Sequence, residues 1–259
     1  MSKIKVMTFN LRVEASAHDG INNLPNRKGR ILETVNTEAP DLIGFQEARD
    51  NTRNWLRDTL ADYTVIGCGR AADYLGESTP LAFKKDKFMM IASENFWLSS
   101  TPSVAGSTYE GSDQSSCPRI CTVATLVHIE TGKKLVFLNT HTDHAGSMAR
   151  TLESAQILQY LSEKGLPSIV TGDLNATPDS MEIVMLSSSK NFPMTDATAS
   201  VKGSFHSFGG YSDENMPKID YVFSNLPCIE EEAFAIPDPH EDGIYISDHR
   251  PVMASLIIE

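Results

Sequence analysis

The stretch "TGDLNATPDS", residues 171–180, follows the run Pro167-Ser168-Ile169-Val170, and its reading decides how the other strand ends are read. A short buried strand stops there in a carboxylate and a carboxamide. Asp173 and Asn175 stand two apart, and on an extended chain residues i and i+2 face the same side. Thr177 reads as a helix N-cap with Pro178 at the first helical position, opening a helix that carries Met181, Val184 and Met185. The pair is thereby mounted between a strand end and a helix start, the rigid setting that functional groups require. Taken alone it has two readings, site or turn, because Asp and Asn also stabilise turns through their own backbone.

Apolar or alternating runs predict strands over 3–9, 42–46, 63–67, 80–84, 87–98, 119–129, 134–140, 168–172, 218–224 and 250–258. Asn26 is a candidate cap for a helix with Ile31, Leu32 and Val35 that stops before Pro40. Asp50 or Asn51 caps another with Trp55, Leu56 and Leu60. Between 145 and 164, Met148, Leu152, Ala155, Leu158 and Leu161 keep helical spacing, with Gly165 and Pro167 as the stop. That helix joins two strands as a crossover, whereas "TGKK" at 131–134 reads as a tight hairpin turn, so the sheets are mixed. The pattern fits two sheets face to face with helices outside. With 259 residues, 41% of them hydrophobic, and no linker or repeat, a single domain over 1–259 is expected.

The other strands end as the 168–172 strand does. "VMTFN" stops at Asn10, "DLIGFQE" at Gln46 and Glu47, and "LVFLNTH" at Asn139 and His141. "KIDYVF" carries Asp220 near its start, and "SDHRPVMASL" places Asp248 and His249 just before the last strand. Each residue alone has a structural explanation: a solvated loop for Glu47, a buried amide for Asn10, a hydrogen-bonded core imidazole for either histidine. Together they stand at corresponding ends of neighbouring strands, where α/β folds form ligand sites. Convergence of Glu47, Asp173, Asp220 and Asp248 crowds negative charge that only a cation relieves. The donors are oxygen-rich, so Mg²⁺ is expected, with Mn²⁺ as a substitute and Zn²⁺ less suited. A metal beside two histidines and an acid/amide pair suits attack on a phosphate ester.

The ordered series Asn10, "FQEA", "NTHTDH", "TGDLNATPDS", "KIDYVF" and "SDHRPV" resembles the endonuclease/exonuclease/phosphatase superfamily over residues 3–258. The resemblance implies a four-layer α/β sandwich, two mixed sheets face to face flanked by helices. It makes Glu47 the main metal ligand, helped by Asn10 and Asp248. It makes Asp173 the group that orients or deprotonates water and Asn175 the phosphate holder. It sets His141 and His249 on the phosphoryl oxygens and has Asp220 orient His249. On this reading "TGDLNATPDS" is site rather than turn. "GDLNATPDS" is similar to deadenylase and nocturnin sequences, while the 5-phosphatase and abasic-site endonuclease patterns are incomplete around "MPKIDYVF". The stretches "GCGRAADYLGES", "CPRICT" and "GSFHSF" look like an uncharacterised bacterial branch, although Thr142 stands where that branch commonly has leucine. Arg70, Glu77, Arg119 and His206 lie in or beside those stretches and are the candidates for substrate selection. An ordinary Arg119–Glu77 ion pair is the other reading of two of them.

The net charge of -12 repels polyanions at long range, so strong nonspecific DNA binding is not expected. The apolar patch of "MSKIKVMTFNLRVE" is too short for a signal or a membrane span, which predicts a cytoplasmic protein without a membrane partner. No obligate protein partner is evident. Cys68, Cys117, Cys121 and Cys228 form no CxxC pair and read as free, mostly buried thiols. The activity expected first is a metal-dependent phosphodiesterase on a nucleotide, short nucleic acid or related small diester. The alternative is a phosphomonoesterase on a small phosphorylated metabolite, and a remote third is a catalytically silent binding module.

Overall fold

The computed structural model describes residues 1–14, 19–238 and 242–259. One sheet runs β11-β12-β1-β2-β4-β3 and the other β5-β6-β7-β8-β10-β9. The first is built from β1 (Ser2–Asn10), β2 (Leu42–Gln46), β3 (Tyr63–Ile66), β4 (Leu81–Lys84), β11 (Cys228–Ala235) and β12 (Val252–Ile258). The second holds β5 (Phe88–Trp97), β6 (Ile120–His128), β7 (Lys134–His141), β8 (Ser168–Asp173), β9 (Thr195–Asp196) and β10 (Asp220–Ser224). Sequence periodicity misses β9, which is two residues long, and β11, whose "CIEEEAFA" reads as a solvated acidic run.

Three apolar clusters define four layers. Val6, Leu42, Phe137, Ile169 and Val222 fill the space between the sheets. Phe9, Phe45, Ile31 and Leu56 join the outer face of the first sheet to α1 (Leu24–Glu38) and α2 (Asp50–Thr59). Val170, Tyr221, Ile157 and Leu186 join the second sheet to α3 (Ser147–Lys164) and α4 (Met181–Ser188). The fold is the expected α/β sandwich. The crossover through α3 makes β7 and β8 parallel, and the turn around Gly132, at φ 69°, makes β6 and β7 antiparallel.

Helix starts and faces differ from expectation. Asn23, not Asn26, caps α1, accepting from the Asn26 amide at 3.3 Å. Asp50 is the first residue of α2, with Arg49 at the cap. Thr177-Pro178 forms a turn closed by Ser180 N to Thr177 O at 2.9 Å, so α4 starts at Met181, and its inward residues are Glu182, Ile183 and Leu186. In α3 the buried row is Ala149, Glu153, Ile157 and Leu161, while Met148 and Leu152 face outward. The carboxylate of Asp113, on a distant loop, accepts from Met148 N and Ala149 N and caps that helix from outside. Among the described residues no helix is long and apolar enough to cross a membrane. The four cysteines are free, but only Cys121 is buried; the others are half-buried in loops or an edge strand.

Candidate active site

Strand register assembles the floor of the site. Parallel β7 and β8 set His141 opposite Asp173, and antiparallel β10 sets Asp220 opposite the same residue. In the other sheet Asn10 lies opposite Gln46, one residue before Glu47. Asp248 and His249 immediately precede β12, whose Val252 pairs with Thr8 of β1. Gln46 and Asn139 end strands in the same way yet serve the fold. Gln46 Nε2 donates to Asn139 Oδ1 at 2.8 Å between the sheets, and Thr171 Oγ1 donates to the same oxygen at 3.0 Å. The sheets approach so closely there that a Cβ on Gly44 would lie 2.0 Å from Thr171 Oγ1.

The backbone bends sharply where side chains turn into the site. Arg12, Glu47 and Asn175 have φ of 57°, 60° and 48°, a region non-glycine residues occupy at a cost of about 1–3 kcal/mol each. Such conformations persist where surrounding bonds hold them. Val13 N donates to Glu47 Oε2 at 2.6 Å, Asn175 N donates to Asp173 Oδ1 at 2.9 Å, and Arg12 N donates to Asn10 Oδ1 at 2.9 Å.

Asp173 lies at the centre, 2% exposed. Its Oδ2 accepts from Asn10 Nδ2 at 2.9 Å and lies 3.6 Å from His141 Nε2 and 3.7 Å from His249 Nε2. Burial, reinforced by the negative charge of Asp220, raises its carboxyl well above the usual range, against the opposing pull of His249. His249 is the counterpart. Burial alone would lower its imidazole, but Asp220, bonded to Nδ1 at 2.8 Å, raises it instead, helped by Asp173 and Asp248. His141 moves the other way: burial, then Arg119 and Arg70, hold it far below its ordinary value and therefore neutral. One imidazole is held charged and the other neutral on either side of the Asp173 carboxyl.

Above this floor is a cleft of about 360 Å³ whose rim includes Arg70, Glu77, Cys117, Arg119, His144 and Phe205. Glu77 pairs with Arg70 at 3.1 Å, not with Arg119. Arg119 instead lies 3.4 Å from Asp143 and 2.8 Å from His144 Nδ1, because the 115–119 segment folds over the loop after β7. His206 is not on the rim: it is buried behind the floor, its ring 5.0 Å from Tyr245 and its Nε2 3.8 Å from Asp238. Its neighbour Phe205 reaches the cleft, with its ring 4.7 Å from that of His249. Thr142 is buried beside His141, and its carbonyl accepts from Asn175 Nδ2 at 3.0 Å, a backbone role open to leucine as well. A hollow of about 400 Å³ between β5 and α3 holds no histidine or arginine and lacks this chemistry.

Sequence reasoning passed over several contributors. Arg12, two residues after Asn10, pairs with Asp19 at 3.1 Å and lies 3.7 Å from Asp248. Arg27, fully buried on α1, donates to the carbonyls of Leu11 and Ile246 at 2.8 and 2.9 Å and so ties the Asn10 strand end to the Asp248 segment. Asp143 accepts from Ala145 N and Gly146 N at 2.9 and 2.8 Å, and from Ser115 Oγ. Burial would raise that carboxyl, but these bonds hold it well below the usual range, so it stays charged beneath Arg119. Arg12 in "FNLR" and Asp143 and His144 in "NTHTDH" follow the strand ends directly, a signal available in the sequence. Arg27 has none beyond its place on an amphipathic helix.

The floor also fits a divalent cation. Glu47, His141 and Asp173 offer ligand atoms within 4.8 Å of one another; Asp173, Asp220 and His249 lie equally close, but a charged His249 bonded to Asp220 has no free ring lone pair. Asn10 turns its amide nitrogen to Glu47 at 3.0 Å and to Asp173, and Asp248 faces Arg12, so both stand beside the Glu47 group in supporting positions. Carboxylates this close, one with its carboxyl raised, are a donor set that a hard cation relieves.

Two mixed sheets packed face to face, with acids and histidines gathered across their matching strand ends, define the class of fold. The chain belongs to the Endonuclease/Exonuclease/phosphatase family, whose model matches residues 7–249. An endonuclease/exonuclease/phosphatase from Bacteroides vulgatus superposes with a TM-score of 0.92 at 32% identity, covering 100% of both chains. A mannosyl-6-phosphatase from Bacteroides thetaiotaomicron gives 0.85 at 25% identity, covering 98% of this chain and 100% of its own. The human Nocturnin catalytic domain, at 18% identity and a TM-score of 0.72 over 99% of this chain and 95% of its own, shares the fold. No curated protein matches the chain.

Proposed function

We propose that the protein is a divalent-metal-dependent phosphomonoesterase acting on a small phosphorylated metabolite, with Mg²⁺ as the metal and Mn²⁺ able to replace it. The observation that carries this reading is the cleft itself. Its volume of about 360 Å³ matches a phosphate with one small group, and two guanidiniums, Arg70 and Arg119, line it beside the acid floor. A net charge of -12 disfavours long polyanions as substrates. A relative matched over almost the whole chain bears the name mannosyl-6-phosphatase, which supports the same ester class.

In this reading Glu47 is the principal ligand, with Asn10 and Asp248 beside it. A cation held there would supply positive charge to the phosphoryl group and relieve the crowded carboxylates. Asp173 aligns a water in line with the ester bond and takes its proton. The water oxygen bonds to phosphorus as the P–O ester bond breaks; the leaving oxygen takes a proton from solvent and Asp173 returns its own to solvent, so an alcohol and phosphate are released. His249, kept charged by Asp220, and neutral His141 donate to phosphoryl oxygens, with Asn175 and Arg119 holding the group in place. The test compares 4-nitrophenyl phosphate with bis(4-nitrophenyl) phosphate, with Mg²⁺ and with chelator. Faster Mg²⁺-dependent hydrolysis of the monoester is expected; preference for the diester overturns the reading in favour of a phosphodiesterase on nucleotides or short nucleic acid.

A further inference from the structure

Glu77 raises a physical problem for a phosphate-binding cleft. A carboxylate on the rim, away from the acid floor, repels a phosphate dianion and is suited to accept from a neutral hydrogen-bond donor or to hold a neighbouring cation. The side chains of Arg70 and Glu77 are 15% and 20% exposed, 3.1 Å apart, and both line the cleft. Their mount is stiff. Arg70 N donates to Glu77 O at 2.8 Å, Gly69 N to Tyr74 O at 2.9 Å, and Ser78 N to Ala48 O at 2.9 Å, next to Glu47 on the floor. Asp50 Oδ2 accepts from Gly76 N at 2.9 Å, and Trp97 Nε1 donates to Arg70 O at 2.6 Å. At Gly69 a Cβ would lie 2.1 Å from Leu75 O, so the turn closes only with glycine. An acceptor and a planar donor are thus held side by side at a fixed distance from the acid floor.

We infer that the Arg70–Glu77 pair recognises vicinal hydroxyls on the leaving group, which makes the substrate class a polyhydroxylated alcohol phosphorylated on one hydroxyl, such as a sugar phosphate. One hydroxyl donates to Glu77 while its neighbour accepts from Arg70, and Phe205, which also lines the cleft, supplies apolar surface for the C–H groups of the leaving group. This inference rests on the phosphomonoesterase reading. A site built to bond a hydroxyl discriminates strongly against the analogue lacking it, because its own polar groups are then left unpaired.

The test measures kcat/KM for mannose 6-phosphate and for n-hexyl phosphate, which share a primary-alcohol leaving group and differ in hydroxyls. The wild-type protein should prefer the sugar by about a hundredfold or more, and Glu77→Gln should shrink that ratio at least about tenfold. If Glu77→Gln does not fold, Glu77→Asp is read in the same way. A wild-type ratio near one overturns the inference and leaves the phosphatase reading standing. A large ratio that Glu77→Gln does not change also overturns it, because Glu77 then only positions Arg70. Hydrolysis of neither monoester, with cleavage of bis(4-nitrophenyl) phosphate, removes the phosphatase reading and this inference with it.

Discussion

Along the floor of the cleft the polar groups reach their places through strand register, whereas along the rim they are placed by loops. Asp173 faces His141 and Asp220 because β7, β8 and β10 pair residue by residue. Arg70, Glu77, Arg119 and His144 meet because separate loops hydrogen-bond to one another. A sheet tolerates little shift of register without exposing its core; a loop accepts new residues as long as its backbone bonds survive. On the proposed function, chemistry belongs to the floor and substrate choice to the rim.

Asp173→Asn tests this division most severely. The amide keeps the size but takes up no proton, and its NH2 faces one of the two donors, Asn10 Nδ2 or Asn175 N, so turnover should fall about 10²- to 10⁴-fold with a modest drop in thermal midpoint. A near-wild-type rate would remove Asp173 from the chemistry. Arg119→Met probes the rim. Losing a charged donor to the phosphate should raise KM about 10- to 100-fold, with a smaller change in kcat, in steady-state kinetics on 4-nitrophenyl phosphate. A fall confined to kcat would move Arg119 from binding to the chemical step.

The floor was legible because strand ends are visible as breaks in apolar runs, and Asn10, Glu47, His141, Asp173, Asp220, Asp248 and His249 all lie at such breaks. The same signal also marked Gln46 and Asn139, which bridge the sheets instead. A break shows where a strand stops, but not whether the side chain there points into the cleft or between the layers. The rim was less legible. The alternative Arg119–Glu77 ion pair gives way to Arg70–Glu77, and His206, a candidate for substrate selection, lies behind the floor while its neighbour Phe205 reaches the cleft. Both depend on how loops of irregular backbone fold over one another, for which the sequence has no period. The face of α3 was misjudged for a related reason: Glu153 lies inside because the loop after β7 uses it, with Asp143 N donating to Glu153 Oε2 at 2.8 Å.

Glu153 also provides the smallest and cleanest test of how the rim is held. Burial raises its carboxyl from 4.5 to about 7. Between those values the folded protein keeps a proton that the unfolded chain has released, so this group costs stability as pH rises through that window. Glu153→Gln removes the titration while keeping an acceptor for Asp143 N. The variant should be the more stable protein above pH 7 by about 1–3 kcal/mol, with the gap closing toward the ordinary carboxyl value. Urea unfolding across that range checks it, and a gap independent of pH would mean that Glu153 is charged in the folded state throughout.

The claim on which the rest depends is that the strand-end acids hold a divalent cation for phosphate-ester hydrolysis. Phosphate release from 4-nitrophenyl phosphate, titrated with Mg²⁺ after chelator treatment, tests it in the wild-type protein and in Glu47→Gln. The account predicts no turnover in chelator, recovery with Mg²⁺, and a half-activating concentration about tenfold or more higher in the variant. Turnover that survives chelation, or a metal dependence identical in the two proteins, would contradict it.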